Sequence, residues 1–174
     1  LRPGSLTSLP RGLQRIRNAH ASSAPPASGR SMERDRRALI ERRGLVANLY
    51  ALRGEFVRQL QASGARIPIG FEGDDGLIGL LVKWDLDPIK DEFDTLRIEP
   101  CPDAGFVFDS VSMTSWREWR GQWRRLLRYG RRRYEFQLLG PHLKQHGLAG
   151  MPVHISALYP GAHRLTPGLH GIYT

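Results

Sequence analysis

Two segments of the chain, residues 31–63 and 115–139, carry apolar side chains at the three- and four-residue spacing of a helix face. This pattern constrains the fold more than any other feature. Ser31 is a suitable N-cap for the first segment, and Gly140-Pro141 predicts the end of the second. We therefore predict a mainly α fold in which these two long amphipathic helices pair through their apolar stripes.

The sequence between the two predicted helices is expected to form shorter elements. Gly64 is a plausible C-cap of the first helix, and the apolar run Leu77–Trp84 fits a short helix or a strand equally well. Asp87 and Pro88 are typical of a helix start, as N-cap and first helical residue. They predict a short helix over about 88–97, packed against the long helices. Its apolar face would consist of Ile89, Phe93 and Leu96.

Both ends of the chain are predicted to be extended arms, which leaves residues 31–147 as a small helical domain. Residues 1–30 are rich in Arg, Ser, Ala and Pro and contain no acid, a composition typical of a mitochondrial transit segment. Residues 148–174 are interrupted repeatedly by Pro and Gly. Neither arm can bury enough of its own apolar surface to be ordered alone, so we expect both to lie along other molecules.

The charges of the chain divide it into three parts. Residues 1–66 carry a net charge of +9, residues 67–115 carry −8, and residues 116–174 carry +8. This acidic middle separates the chain from a uniformly basic nucleic-acid wrapper, because phosphate repels carboxylates. Positive charge comes from 23 Arg and only three Lys, which suits both buried ion pairs and phosphate contacts. We expect the ends to contact something negative while the middle faces a positive neighbour or the chain's own arms.

Several classes of protein are excluded or disfavoured by the sequence. No apolar run approaches the length needed to span a bilayer, and a single cysteine, Cys101, cannot form an intrachain disulfide. The phosphate-binding loop, the dinucleotide-binding glycine pattern and the nucleophile elbow are all missing. The sequence therefore predicts a protein that is not an enzyme and that binds no cofactor.

Metal binding is a weak candidate. His142 and His146 have the i, i+4 spacing that can place two imidazoles on one ion, but no acid follows within a turn. The acidic cluster that begins at Asp85 lacks the spacing of a calcium loop, and Pro88 interrupts it. We predict no metal site and interpret these acids as favourable charges at a helix N-terminus.

The second predicted helix alternates tryptophan with arginine, which allows three interpretations of its surface. Such a helix could bind RNA, lie on an anionic membrane, or form a protein–protein hot spot. The regular spacing favours packing of the Trp side chains in a core or against a partner helix. The candidate interaction residues are Trp116, Trp119, Trp123, Arg117, Arg120, Arg124, Arg128, Arg131, Arg132 and Arg133.

Two functions are compatible with these features. The first is a non-catalytic accessory subunit of a large mitochondrial membrane-protein assembly, such as a respiratory complex or the ATP synthase. It would lie on the matrix side of the inner membrane and tie neighbouring subunits together, with anionic lipid headgroups as further candidate partners. The alternative is a mitochondrial ribosomal protein whose Arg-rich ends contact rRNA. The acidic middle favours the first, and neither the assembly nor the partner of the Arg face follows from the sequence.

Overall fold

The computed structural model describes residues 1–46, 48–107 and 116–160, except for the side chains of Arg117 and Glu118. These residues form five α-helices, three short strands and three 3₁₀ turns, so the prediction of a mainly α fold is confirmed in its coarse form. The helices are α1 (Ser5–Arg15), α2 (Met32–Arg42), α3 (Gly54–Ala62), α4 (Asp74–Lys83) and α5 (Trp116–His146); the strands are β1 (Ala21–Ser23), β2 (Tyr50–Leu52) and β3 (Ile98–Pro100).

Residues 1–30 do not form an extended arm. Strand β1 is the central strand of the sheet, antiparallel to β2 and parallel to β3, with Ser22 opposite Ala51 on one side and Glu99 on the other. Helix α1 packs on this sheet, and its Gly12 lies so close that an added Cβ would approach the Ser22 hydroxyl to 3.0 Å. Small residues in both elements permit this close approach, so a composition that resembles a transit segment is used here to build a layer of the fold.

The first predicted long helix is wrong in its extent. Residues 31–63 form α2, β2 and α3, because the chain leaves the helix at Arg43, which takes the left-handed conformation at φ 47°. The predicted ends agree in position: Ser31 precedes α2, although its hydroxyl donates to the Asp35 carboxylate at 2.6 Å and makes no capping hydrogen bond, and Gly64 follows α3 with a φ of 69°. The break lets Leu45 and Leu49 enter two different buried clusters, whereas a continuous helix would place both on one face.

The short elements in the middle of the chain also differ from the prediction. The ambiguous run 77–84 belongs to α4, which begins earlier, at Asp74. The predicted helix over 88–97 is absent: the chain forms a turn up to Asp91, whose φ is 54°, and then a 3₁₀ turn over Thr95–Arg97. A left-handed residue at Asp91 interrupts the helical path, so favourable local signals at Asp87 and Pro88 do not extend into a helix.

Helix α5 is the only long helix in the part of the chain that the structure describes. It continues to His146 instead of ending before Gly140-Pro141. Pro141 removes one backbone hydrogen bond, but Leu139 and Leu143 on either side of it are fully buried in the core. Burial of two leucines, worth about 1.5–3 kcal/mol each, offsets the local cost of the proline and keeps the segment helical.

The C-terminal segment was predicted to be an extended arm, and its first part is not. Residues 148–160 fold against the chain in two 3₁₀ turns, Leu148–Gly150 and Ile155–Leu158, with Ile155 fully buried. His154 pairs with Ile69 in an isolated parallel bridge. The rest of the predicted tail, 161–174, lies outside the described residues.

Two buried apolar clusters hold these elements together. The larger one joins α3, α4, β3 and α5 and includes Phe56, Leu81 and Leu139; the smaller one joins α1 to the segment after β3 through Leu9 and Phe106. The predicted pairing of two long helices is therefore replaced by a core to which both ends of the described chain contribute.

Candidate interaction surface on the long helix

The C-terminal half of α5 is fixed to the body by a buried carboxylate. Glu135 is 0% exposed, and its Oε1 accepts hydrogen bonds from Arg131 Nε at 2.7 Å and from the Tyr159 hydroxyl at 2.5 Å. Its Oε2 accepts the Glu72 amide at 3.3 Å. Arg131 also donates to the carbonyl of Gly70 at 2.6 Å. One acid thus connects the helix, the loop before α4 and the C-terminal segment.

The same cluster changes the ionisation of Tyr159. Burial, followed by the hydrogen bond to the carboxylate of Glu135, raises the pKa of Tyr159 from 10.0 to about 12. Both effects disfavour the phenolate, the first because it is poorly solvated and the second because it would face another negative charge. Tyr159 therefore stays a neutral hydrogen-bond donor far above physiological pH.

The N-terminal half of α5 presents its tryptophans to solvent. Trp116, Trp119 and Trp123 are 82%, 50% and 57% exposed, and Leu126 and Leu127 beside them are exposed as well. We call these five residues the aromatic stripe. The predicted packing of these tryptophans in the core is therefore wrong within the described chain, and their packing against a partner helix stays a prediction.

Helix geometry explains why the aromatic stripe misses the core. Trp123 and Leu139 are 16 positions apart, and at 3.6 residues per turn they lie about 160° apart around the helix. Leu139 faces the core, so Trp123 faces away from it. The spacing correctly predicts one apolar face in each half of α5, but the two halves present different faces to the body.

The predicted arginines fall into two groups. Arg132 pairs with Asp75 at 2.6 Å and Arg131 with Glu135, so these two hold the helix onto its own chain. Among the described residues, the other exposed arginines of α5 make no hydrogen bond or ion pair; they are Arg120, Arg124, Arg125, Arg128 and Arg133. The side chain of Arg117 lies outside the described residues.

An open cleft of about 760 Å³ separates the Arg side of α5 from the body. Arg125, Arg128 and Arg132 line one wall. The cleft is also lined by four acids, Asp35, Glu72, Asp74 and Asp75. Part of the acidic middle of the chain therefore faces the chain's own basic helix. This leaves the aromatic stripe, on the other side of the helix, as the surface without a described intramolecular partner.

A second exposed apolar patch lies in the acidic part of the chain. Ile89, Phe93 and Leu96, which were predicted to face the core from a helix, are 61%, 47% and 56% exposed. They alternate with five acids and two cations between residues 85 and 97, a stretch that we call the acidic segment. Lys144 near the end of α5 holds this segment in place through Asp91 at 2.7 Å.

The candidate metal ligands do not come together as a site. The rings of His142 and His146 lie 4.6 Å apart, but His142 Nε2 contacts the Gly150 carbonyl at 2.7 Å. A search of the described residues finds no group of three or more His, Cys, Asp or Glu that could hold an ion. Cys101 is buried in the smaller apolar cluster.

Three features of this surface do not follow from the sequence pattern. Glu135 was not identified as an anchor, although its i, i+4 spacing from Arg131 is a signal for an ion pair. Tyr159 could not be assigned to it, because 24 residues separate the two partners. The exposure of the acidic segment does not follow from its helix signals, because helical spacing does not show whether a face is packed.

Comparisons of the chain with family models, with curated proteins and with solved structures give no match. Among the described helices, none is long and apolar enough to cross a membrane.

Proposed function

We propose that the protein is a non-catalytic structural subunit of a larger assembly, held to a neighbouring subunit by the aromatic stripe of α5 and the arginines beside it. The observation that carries the proposal is the exposure of three tryptophans within eight residues on a rigid helix. Contiguous exposed apolar surface is typical of interaction sites, and Trp and Arg are the residues most enriched in binding hot spots.

The expected partner follows from the chemistry of this surface. Eight arginines and one glutamate lie between residues 116 and 134, so a surface that covers the stripe gains from carboxylates around an apolar centre. Burying the three Trp side chains would provide most of the binding free energy, while the arginines would set orientation and association rate.

A mitochondrial membrane-protein assembly is the setting expected from the sequence, and it remains a proposal. The compartment was suggested by the composition of residues 1–31, and these residues now have a structural use in α1 and β1. The proposal of a docked subunit therefore does not depend on the compartment.

RNA binding is the second candidate, and the arginines without a described partner favour it. Arg120 and Arg124 stand beside Trp rings that could stack on bases while the guanidinium groups contact phosphates. The acidic residues of the cleft, such as Asp74 and Glu72, oppose it because they repel a phosphate backbone that follows the helix. We favour the protein partner for this reason.

The test is the sedimentation of tagged chains from their source cells in a native gradient. The wild type is expected to move with large particles, before and after RNase treatment. The double variant Trp119→Ser/Trp123→Ser is expected to move as a small protein. The control Leu6→Ser/Val153→Ser, which changes exposed apolar residues elsewhere, should behave as wild type. Loss of the large particle on RNase treatment would favour the ribosomal alternative, and an unchanged position of the Trp variant would contradict both.

A further inference from the structure

We infer that the neighbour on the aromatic stripe is a second copy of this chain, which contributes its acidic segment. This inference rests on the proposed function and names the partner for the same surface, so that the larger assembly contains this chain as a dimer. It follows from three properties of the two exposed patches: their composition, their position along α5, and the side of the helix on which they lie.

The two patches are complementary in composition. The acidic segment, residues 85–97, has a net charge of −3 and exposes Ile89, Phe93 and Leu96. Residues 116–134 have a net charge of +7 and expose three tryptophans. The Glu92 carboxylate is exposed and makes no hydrogen bond or salt bridge among the described residues, where it interacts electrostatically with Lys90; Arg120 and Arg124 are exposed as well. Each patch offers an apolar centre beside charges of the sign that the other lacks.

The two patches lie at opposite ends of one rigid element. Helix α5 has 31 residues and is therefore about 46 Å long. The aromatic stripe occupies its first turns, and Lys144 in its last turn holds the acidic segment through Asp91. The stripe residues of one copy thus lie about 25–42 Å from Lys144 along the helix, too far for one copy to join the two patches itself.

Both patches lie on the same side of α5. Leu126 in the aromatic stripe and Lys144 are 18 residues apart, which is five helical turns, so their side chains leave the helix along one line. The open groove of about 590 Å³ that is lined by Leu80, Tyr129 and Phe136 lies on the other side, where α5 meets the body. The outer side of the helix therefore presents the stripe near its start and the acidic segment near its end.

The positions of the two patches allow two copies of the chain to pair about a two-fold axis. When two copies place their α5 helices side by side and antiparallel, the acidic segment of each lies against the aromatic stripe of the other. Both contacts form at once, as a closed dimer with a two-fold axis requires. The axis would pass halfway between the two patches.

The sequence of the acidic segment favours a conformational change to a helix when the segment contacts the second copy. Asp87, Pro88 and the acids that follow favour a helix, and Ile89, Phe93 and Leu96 have the spacing of one helix face. In the isolated chain the left-handed residue Asp91 interrupts this helix. An apolar partner surface along Ile89 and Phe93 supplies the burial that the segment lacks in the isolated chain, so we expect it to become helical in the dimer.

The experiment is sedimentation equilibrium of the purified full-length chain over a concentration series from about 1 to 100 μM, a range that spans typical weak dimers. We expect a mass of twice 19.7 kDa at the upper end and weaker association at higher salt, since part of the attraction is between charges. Trp119→Ser/Trp123→Ser and Ile89→Ser/Phe93→Ser should each raise the dissociation constant by about tenfold or more. Leu6→Ser/Val153→Ser is the matched control, and circular dichroism verifies that each variant is folded.

Charge reversal separates this contact from non-specific association. Arg120→Glu/Arg124→Glu and Glu92→Arg should each weaken the dimer when present alone. The two variants mixed should associate with each other more tightly than either associates with itself, because both contacts of the mixed dimer are then complementary.

The inference is overturned if the chain is a monomer throughout the concentration range. It is also overturned if a dimer forms whose dissociation constant is unchanged by the Trp119/Trp123 substitutions or by the Ile89/Phe93 substitutions. If the chain is monomeric while the large particle in cells still depends on Trp119 and Trp123, the second copy is wrong and the docked subunit stands. If neither depends on them, both proposals fail. Binding of the monomer to vesicles of anionic lipid or to RNA through the same residues would likewise replace the second copy with that partner.

Discussion

At the scale of single residues, buried and half-buried polar side chains connect segments that lie far apart in the sequence. Arg53 donates to the carbonyls of Leu13 and Ile16 through Nη2 and of Ala19 through Nε, and so satisfies carbonyls at and after the end of α1. Glu135 does the same for α5, the loop before α4 and the C-terminal segment. Because hydrogen bonds to charged groups contribute about 1.5–3 kcal/mol each, these two residues determine much of how the elements are arranged.

The pH dependence of stability gives a test of the Glu135 cluster. The pKa of Tyr159 is about 12 in the folded chain and near 10 in the unfolded chain. The unfolded chain therefore loses this proton first, and the free energy of unfolding decreases as the pH rises from about 10 towards 12. Below pH 10 the contribution of Tyr159 is fully present.

Tyr159→Phe removes both the hydrogen bond and this titration. We expect a loss of about 1.5–3 kcal/mol in the free energy of unfolding at pH 8, and a smaller further loss than in wild type as the pH increases. Urea unfolding at pH 8 to 11 measures both effects. Tyr129→Phe, at an exposed tyrosine, is the control. Parallel pH curves for wild type and Tyr159→Phe would refute the assignment.

At the scale of elements, α5 serves as a core helix in one half and as an exposed helix in the other. Leu139 and Leu143 are fully buried, whereas the tryptophans near the start of the helix face solvent. Close packing limits what can change in the buried half: a Cβ added to Gly76 of α4 would approach the Phe136 ring to 2.6 Å. The exposed half has no such restriction, since an added Cβ at Gly121 or Gly130 meets nothing within 4 Å.

Truncation of one large side chain in each half of α5 tests this division. Leu139→Ala should lower the free energy of unfolding by about 2–5 kcal/mol, because it leaves a cavity in the core. Trp119→Ala should change it by about 0.5 kcal/mol or less in dilute solution, as is usual for surface positions. Chemical denaturation of the monomer at low concentration measures both. A loss for Trp119→Ala comparable to that for Leu139→Ala would show that the ring is buried against the chain itself.

At the scale of the whole molecule, the N-terminal residues are part of the folded unit. Strand β1 bonds to both other strands, and Leu9 of α1 is buried with Ala104 and Phe106. The backbone amide of Arg2 also donates to the Gly105 carbonyl at 2.9 Å. The sheet therefore consists of strands from three distant parts of the sequence, and its central strand comes from residues expected to be an arm.

Deletion of residues 1–31 should abolish cooperative unfolding, because β2 and β3 lose the strand between them and the smaller apolar cluster loses α1. Circular dichroism during thermal unfolding measures this. Leu9→Ala, within the intact chain, should cost about 2–5 kcal/mol, whereas Leu6→Ala at an exposed position of the same helix should be nearly neutral. A truncated chain that unfolds with the wild-type midpoint would contradict this account of the N-terminal residues.

The sequence by itself determined the features that depend on local chemistry. The N-cap at Ser31, the glycine after α3, the helical character of residues 116–139 and the clustering of Trp with Arg all follow from residue type and short spacing. Each depends on contacts within a few residues, so neighbouring side chains are sufficient to specify it.

Only the tertiary structure decided which apolar faces are buried and which segments are independent. Helical spacing shows that Trp119 and Leu126 share a face, but whether that face meets a core depends on the elements that pack elsewhere. Three-residue strands such as β1 carry almost no local signal, since their stability comes from distant partners: Ala21 pairs with Leu52, 31 residues away, and with Ile98, 77 residues away. Long-range pairing thus turned an expected arm into the centre of the sheet.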